Sequence, residues 1–98
     1  MNRKEAFRRW LQNEKVKKTG KAIPERIIES YIKEISYLSD TMYENGVINK
    51  RLYSMATTKE VDEAVAAIKR HHEYINMNQA SDNRLHKALE QYLTFSAR

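Results

Sequence analysis

The chain has 98 residues, a net charge of +5 and no cysteine, and its length suits one domain with one core, since domains typically hold about 100 to 150 residues. The composition is typical of a folded helical protein, because 41% of the residues are hydrophobic and only two glycines and one proline occur. The absence of cysteine excludes disulfides and thiolate metal sites. No apolar run reaches the roughly 18 to 20 residues that would span a bilayer. We therefore expect a single helical domain over residues 1–98 in the cytoplasm.

The first predicted helix covers residues 2–13, with Asn2 as its cap. Its apolar face is formed by residues that lie three and four positions apart: Phe7, Trp10 and Leu11. A polar connector over residues 14–22 follows, in which Gly20 is free to adopt a positive φ.

The positive charge is concentrated in this first helix and its connector. Residues 1–21 carry eight bases and two acids, a net charge of +6, whereas the other 77 residues carry ten bases and eleven acids, a net charge of −1. Such a one-sided field attracts polyanions, and nucleic acid before other anionic surfaces. The candidate contacts to the DNA backbone are two arginines that point away from the apolar face and the four lysines of the connector: Arg8, Arg9, Lys15, Lys17, Lys18 and Lys21.

The second predicted helix begins at Pro24, a residue favoured in a first turn, and ends at Asn45 and Gly46. Its apolar residues recur at helical spacing over about five turns: Ile28, Tyr31, Ile32, Ile35, Leu38 and Met42. Residues 47–56 are compatible with a short helical turn or with an extended connector. Four of their apolar side chains are expected to close the core: Val47, Leu52, Tyr53 and Met55.

The third predicted helix begins with a capping box, in which Thr57 is followed three residues later by Glu60, and it ends near Asn76. Its inner face consists of Val61, Ala64, Val65, Ile68 and His72. A polar connector then leads to a last helix that is capped by Ser81 or Asp82. The buried stripe of this helix consists of Leu85, Ala88, Leu89, Tyr92, Leu93 and Phe95.

The apolar stripes are too wide for the helices to be stable alone, so the helices must pack on one another. The sequence therefore predicts an all-α fold, a compact bundle of four or five helices with little or no sheet. Six side chains are expected to be largely buried and mutually packed: Trp10, Ile35, Leu38, Ile68, Leu89 and Tyr92. Tyr31 is also expected in the core, whereas Tyr37 and Tyr43 lie off the stripe of the second helix and are expected at the surface.

Signatures of catalysis are absent from the sequence. It contains no glycine-rich phosphate loop, no HExxH motif, no paired cysteines and no nucleophile elbow. His71 and His72 are adjacent, so on a helix they would lie about 100° apart and could not share one metal ion. We therefore expect neither enzymatic activity nor a cofactor.

Four segments, in this order, resemble a known kind of module: FRRWL, a connector with lysines and a threonine, IIESYIKEISYLS and ASDNRLHKALEQYLTF. Together they are similar to the small helical N-terminal module found ahead of nuclease or ATPase domains in some bacterial restriction proteins. More distantly, they resemble the SAM-like core-binding domain of phage integrases and tyrosine recombinases.

The resemblance to the integrases implies that basic helices and connectors embrace DNA, with Arg8, Arg9 and the four connector lysines at the matching positions. The stretch after Thr19 is longer than the usual connector of that family. The catalytic arginines, histidine and tyrosine of recombinases belong to another domain that this sequence lacks, so the resemblance implies no catalysis.

Three functions fit these observations. The first is a non-catalytic DNA-associated module, free-standing or part of a larger restriction or recombination protein. It would contact mostly the phosphate backbone, because its bases lack the asparagine, glutamine and arginine pattern of a recognition helix. The second is a small phage-type protein-interaction module, such as an inhibitor of a bacterial defence nuclease, whose basic end would dock on an acidic surface. The third is a helical bundle whose lysines only maintain solubility.

Overall fold

The computed structural model describes residues 3–14, 20 and 22–97. They form five α-helices in the order α1 (Arg3–Arg9), α2 (Glu25–Glu44), α3 (Thr58–Lys69), α4 (His72–Ala80) and α5 (Arg84–Ser96). A π-helical turn (Trp10–Glu14) continues α1, and a 3-10 turn (Leu52–Ser54) lies between α2 and α3. No strand occurs within these described ranges, and the predicted all-α helical bundle is confirmed.

The helices enclose one core, in which α2 packs most extensively against α5. The six side chains that the sequence predicts at the centre of the core are all buried, and none exposes more than 3% of its surface. An aromatic cluster joins α1 to α5, because Phe7 meets the ring of Tyr92 edge to face at 5.1 Å and Trp10 meets Phe95 at 6.0 Å. This cluster fixes the position of the basic first helix on the bundle.

The predicted first helix is α-helical only over Arg3–Arg9, and its continuation over Trp10–Glu14 is a π-helical turn. Despite this change, Phe7, Trp10 and Leu11 are all buried, as their spacing predicts. The predicted cap, Asn2, lies outside the described residues.

α2 ends where the sequence predicts and begins at Glu25, one residue after the predicted start, with Pro24 at the N-cap position. Its last turn closes in a Schellman motif, because the Gly46 N–H donates to the Tyr43 carbonyl at 3.1 Å and the Val47 N–H donates to the Met42 carbonyl at 2.9 Å. Gly46 has a φ of 73°, the left-handed conformation that glycine adopts without a steric penalty. The helix therefore ends where the Asn-Gly signal places its end.

Residues 47–56 combine the two predicted possibilities, since the 3-10 turn over Leu52–Ser54 lies between extended residues. Leu52 and Met55 are buried, and the other two predicted side chains pack against the core partly buried. Ile48 is buried as well, a position that the sequence pattern does not mark as core.

The third predicted helix is two helices in the structure. α3 begins as predicted, with the Thr57 hydroxyl accepting a hydrogen bond from the Glu60 N–H at 3.1 Å, but it ends at Lys69. The prediction that this helix continues to near Asn76 is wrong.

His71 causes the break by capping a new helix. Its Nδ1 atom accepts a hydrogen bond from the Glu73 N–H at 3.2 Å, which satisfies one of the unpaired amides at the start of α4. His72 is consequently exposed, so its predicted place on the inner face is wrong. Tyr74 is the residue of α4 that is buried in the core.

The polar connector predicted beyond Asn76 is mostly helical, because α4 continues to Ala80. Asn78, which by its residue type favours a loop, accepts a hydrogen bond through Oδ1 from the His86 N–H at 2.9 Å. It therefore satisfies an unpaired amide in the first turn of α5.

The start of α5 is stabilised by Ser81, whose Oγ accepts a hydrogen bond from the Leu85 N–H at 3.0 Å. The N-cap position itself belongs to Asn83, which has a φ of 66° and makes no side-chain cap bond. Ser81 thus makes a hydrogen bond to the first turn of α5, as a capping residue would. The N-cap position, however, is occupied neither by Ser81 nor by Asp82.

Two of the predictions for the tyrosines concern the outer surface of α2. Tyr37 and Tyr43 are exposed at 64% and 42%, as predicted. Tyr31 packs against the core but is only partly buried, because it lies at the edge of α2 beside Arg84 and Lys87.

Candidate nucleic-acid interface

α1 is anchored to α5 by a base as well as by apolar contacts. Arg3 donates from Nε to the hydroxyl of Tyr92 at 3.2 Å and from Nη2 to Oγ of Ser96 at 3.0 Å, and its guanidinium lies 5.5 Å from the centre of the Phe95 ring. The Tyr92 hydroxyl donates in turn to the carbonyl of Leu52 at 3.2 Å. Burial raises the pKa of Tyr92, which keeps this hydroxyl protonated as a donor. Arg3 therefore stabilises the packing of α1 against α5.

Arg8 is held by two carboxylates. Its Nε donates to Oε1 of Glu29 at 2.8 Å and its Nη2 donates to Oε2 of Glu29 at 3.2 Å, while Nη1 is paired with Glu5. The hydrogen bonds with Glu29 and then with Glu5 raise the pKa of Arg8, and the hydrogen bond from Arg8 lowers the pKa of Glu5. Only 22% of the Arg8 side chain is exposed. Arg8 thus fixes α1 on α2, and its charge is already balanced by neighbours.

Arg9 lies beside Arg8 in the last turn of α1 but is exposed. Within the described ranges, no hydrogen bond or ion pair joins its guanidinium to another residue. Its charge contributes to the lowered pKa of Glu5, one helical turn before it, and as an exposed guanidinium it can also bind a phosphate. The structure therefore places two of the candidate contacts, and only Arg9 among them is open to an external anion.

The other four candidate residues belong to the connector between α1 and α2. Lys15, Lys17, Lys18 and Lys21 lie outside the described residues. Gly20 is described, is exposed, and has a φ of 72°, which confirms its predicted positive value.

The two ends of the connector are held at the same edge of the bundle. Nε2 of Gln12, in the π-helical turn, donates to Oε1 of Glu25 in the first turn of α2 at 3.4 Å. The two-pronged bond between Arg8 and Glu29 joins the same helices one turn further along. These contacts hold residue 12 and residue 25 together at one edge of the bundle.

Many bases on the rest of the described surface have an acidic partner. These pairs, with their N–O distances, are Lys50–Glu60 at 3.2 Å, Arg51–Asp40 at 2.7 Å, Lys69–Glu90 at 2.9 Å and Arg84–Glu34 at 3.5 Å. The pairing agrees with the nearly balanced charge of the chain beyond residue 21.

No group of three or more histidine, aspartate or glutamate side chains is arranged to hold a metal ion in the part of the chain that the structure describes. The rings of His71 and His72 stack with their centres 4.5 Å apart, so the predicted separation of about 100° between adjacent helical residues does not apply to them. The reason is that His71 is the extended cap of α4 and does not follow helical geometry. Its Nδ1 atom is already bonded to the amide of Glu73.

Among the described helices, none combines the length and the apolar composition needed to cross a bilayer. Comparisons of the chain with family models, with curated proteins and with solved structures find no match. The resemblance to restriction-protein modules and to recombinase core-binding domains stays a prediction.

Proposed function

We propose that this chain is a non-catalytic, cytoplasmic, DNA-associated module that binds the phosphate backbone through its first helix and the connector that follows. The observation that carries the proposal is the net charge of +6 over residues 1–21, against −1 over the rest of the chain. Lysine and arginine side chains that neutralise phosphates release condensed counterions, and this contribution to affinity does not depend on base sequence. The proposed contacts are Arg9, Lys15, Lys17, Lys18 and Lys21, with Arg8 in a positioning role.

The contacts of Arg8 support this division of roles. Its bonds to Glu5 and Glu29 balance its charge and tie α1 to α2, so it holds the ends of the connector in place. Arg9 is exposed and is available to a phosphate. A rigid support of this kind lowers the entropy that a basic segment loses when it binds.

We propose little or no base recognition. Base readout requires side chains such as asparagine, glutamine or arginine on an element that enters a groove. The described first helix has its apolar face against the core and one of its arginines paired with carboxylates. Backbone contacts fix the position of a protein on DNA without reading its sequence.

The proposal is tested by replacing Lys15, Lys17, Lys18 and Lys21 together with glutamine. Affinity for three duplexes of unrelated sequence is measured by fluorescence anisotropy at one low salt concentration. The wild-type protein should bind the three duplexes alike, and the quadruple variant should bind all of them more weakly by a similar factor. The thermal stability should hardly change, because charged residues in a polar connector contribute little to folding.

A matched control removes the same number of charges elsewhere, through the combined replacement of Lys50, Lys59, Lys69 and Arg70 by glutamine. This variant should retain most of the affinity. Equal losses in both variants would mean that total charge, and not the N-terminal segment, determines binding. If the wild-type protein binds none of the duplexes, the proposal is wrong.

A further inference from the structure

The solvent-facing surface of α2 carries both acids and bases. The carboxylates contact neighbouring elements: Glu25 bonds to Gln12, Glu29 to Arg8, and Asp40 to Arg51. Next to them, one stripe with spacings of seven and four residues consists of Arg26, Lys33 and Tyr37. Arg26 and Lys33 are exposed, and neither has an ion pair within the described ranges. This basic stripe therefore carries two bases that are not paired, beside acids that are bonded to other residues.

The basic stripe borders a furrow between α2 and the turn from α4 to α5. One part of the furrow lies beside Ser30 and Lys87 and has a volume of about 280 Å³. The other part lies beside Tyr37 and Met77 and also has a volume of about 280 Å³. Ser81 and Arg84 line both parts, so the two parts of the furrow adjoin.

The furrow is suited to an anion. Its walls carry two bases, Arg84 and Lys87, and two acids, Glu34 and Asp82. The excess of positive charge comes from Arg26 and Lys33 of the adjoining basic stripe. Arg84 lies 3.5 Å from Glu34, yet 56% of its side chain is exposed, so this loose pair leaves guanidinium donors for a ligand. The Leu85 amide at the start of α5 is already bonded to Ser81, so an anion in the furrow would be held by side chains.

Tyr37 adds an aromatic surface to this cationic furrow. It is 64% exposed. It lines the furrow together with Arg84, and Lys33 lies one turn before it on α2. Tyr43, the other exposed tyrosine of α2, differs because the guanidinium of Arg51 covers its ring at 4.4 Å. Tyr37 is therefore the exposed aromatic side chain of α2 that can stack on a ligand, whereas Tyr31 also lines the furrow but packs against the core.

We propose that this furrow binds single-stranded nucleic acid, with an unpaired base stacked on Tyr37 and phosphates contacted by Lys33, Arg84 and Lys87. A groove with cations along the backbone path and an exposed aromatic ring is the arrangement with which proteins bind single strands without sequence preference. A duplex keeps its bases paired and stacked and cannot use Tyr37. A carboxylate-rich peptide would satisfy the cations but would also leave Tyr37 unused. This inference rests on the proposed function in taking nucleic acid as the ligand, but it involves different residues.

The test compares Tyr37→Ala, Tyr37→Trp and the control Tyr43→Ala. Binding of a fluorescein-labelled oligothymidylate of 12 nucleotides and of a mixed-sequence duplex is measured by anisotropy. Tyr37→Ala should weaken binding of the oligothymidylate at least about fivefold, because base stacking on an aromatic ring contributes at least that factor. Tyr37→Trp and Tyr43→Ala should bind it like the wild type, and none of the three variants should alter duplex affinity.

The cations are tested with the double variant Arg84→Gln and Lys87→Gln. The slope of log affinity against log salt for the oligothymidylate should become shallower by about 0.7 for each phosphate that the variant no longer neutralises. Poly-L-glutamate supplies negative charge without bases and should compete with the oligothymidylate only weakly. Effective competition by poly-L-glutamate would assign the furrow to an acidic protein and overturn the proposal.

The outcomes separate this inference from the proposed function. If the connector variant weakens duplex binding while Tyr37→Ala leaves oligothymidylate binding unchanged, the furrow proposal is wrong and the proposed function stands. If the wild-type protein binds the oligothymidylate through Tyr37 but binds no duplex, the proposed duplex contacts are wrong and the furrow proposal stands. Absence of binding to both ligands would contradict both.

Discussion

Replacing Arg8 by glutamine should lower the free energy of unfolding by about 1 kcal/mol, whereas Arg9→Gln should change it by less than about 0.5 kcal/mol. The two variants remove the same charge from adjacent positions. Their effects differ because Arg8 forms a two-pronged bond with Glu29 and is only 22% exposed, while Arg9 is exposed. Exposed ion pairs typically contribute about 0.2 to 1 kcal/mol, and the geometry at Arg8 places it at the upper end of that range.

The assay is urea denaturation followed by the fluorescence of Trp10, which is buried in the core. In a separate thermal denaturation, a loss of about 1 kcal/mol should lower the melting temperature by about 4 to 8 °C in a domain of this size. A double-mutant cycle with Glu29→Gln isolates the pair, and we expect a coupling free energy of about 0.5 to 1 kcal/mol.

The same variants should show the reverse order in DNA binding. Arg9→Gln should make the slope of log affinity against log salt shallower by about 0.9, the value for one duplex phosphate that is no longer neutralised. Arg8→Gln should leave the slope unchanged under conditions in which the variant is folded. If Arg8→Gln instead leaves stability unchanged and reduces the slope as much as Arg9→Gln does, the positioning role assigned to Arg8 is wrong.

Three further predictions concern the core, the tyrosine hydroxyls and catalysis. Trp10→Ala should lower the free energy of unfolding by about 3 to 5 kcal/mol, as measured by circular dichroism during denaturation; an unchanged stability would contradict the packing of Trp10 against Phe95. The pKa of Tyr53 is raised, mainly by burial. At a pH at which this hydroxyl ionises in the unfolded chain, it therefore stays protonated in the folded state. Stability should therefore be complete below about pH 10 and fall at higher pH, and the fall should be smaller in Tyr53→Phe. The isolated chain should neither cleave nor rejoin DNA with any divalent metal, and cleavage that disappears in a carboxylate variant would show that this is wrong.

The parts of the fold that the sequence predicts well are those with strong local signals. The apolar stripe of α2 and its Asn45–Gly46 end depend on residues within a few positions of one another, and both are confirmed. The capping bond at Thr57 is similarly local. In each case the backbone groups that need partners find them within the same segment of chain.

The parts that the sequence does not predict depend on unusual partners. The break before α4 arises because an imidazole nitrogen of His71 replaces the usual serine or aspartate cap. Asn78 favours a loop by residue type, but its side chain caps the following helix while its own backbone is helical. Composition and periodicity indicate neither arrangement.

The candidate site shows the same limit. The charge excess in residues 1–21 is evident from the sequence, and so is the expectation that Arg8 and Arg9 face away from the core. The difference between them is not, because Glu29 is 21 residues from Arg8 and meets it only when α1 packs on α2. Likewise, the furrow beside Tyr37 requires α2 and α5 to be neighbours, which no local pattern specifies.

The salt dependence of duplex DNA binding tests the central claim most directly. If Arg9 and the four connector lysines each contact one phosphate, log affinity against log salt should have a slope of about −4.5 for the wild-type protein and about −0.9 for the variant with Lys15, Lys17, Lys18 and Lys21 replaced by glutamine. If both proteins bind equally weakly with the same shallow slope, the lysine-rich segment is only a solvated connector and the claim is contradicted.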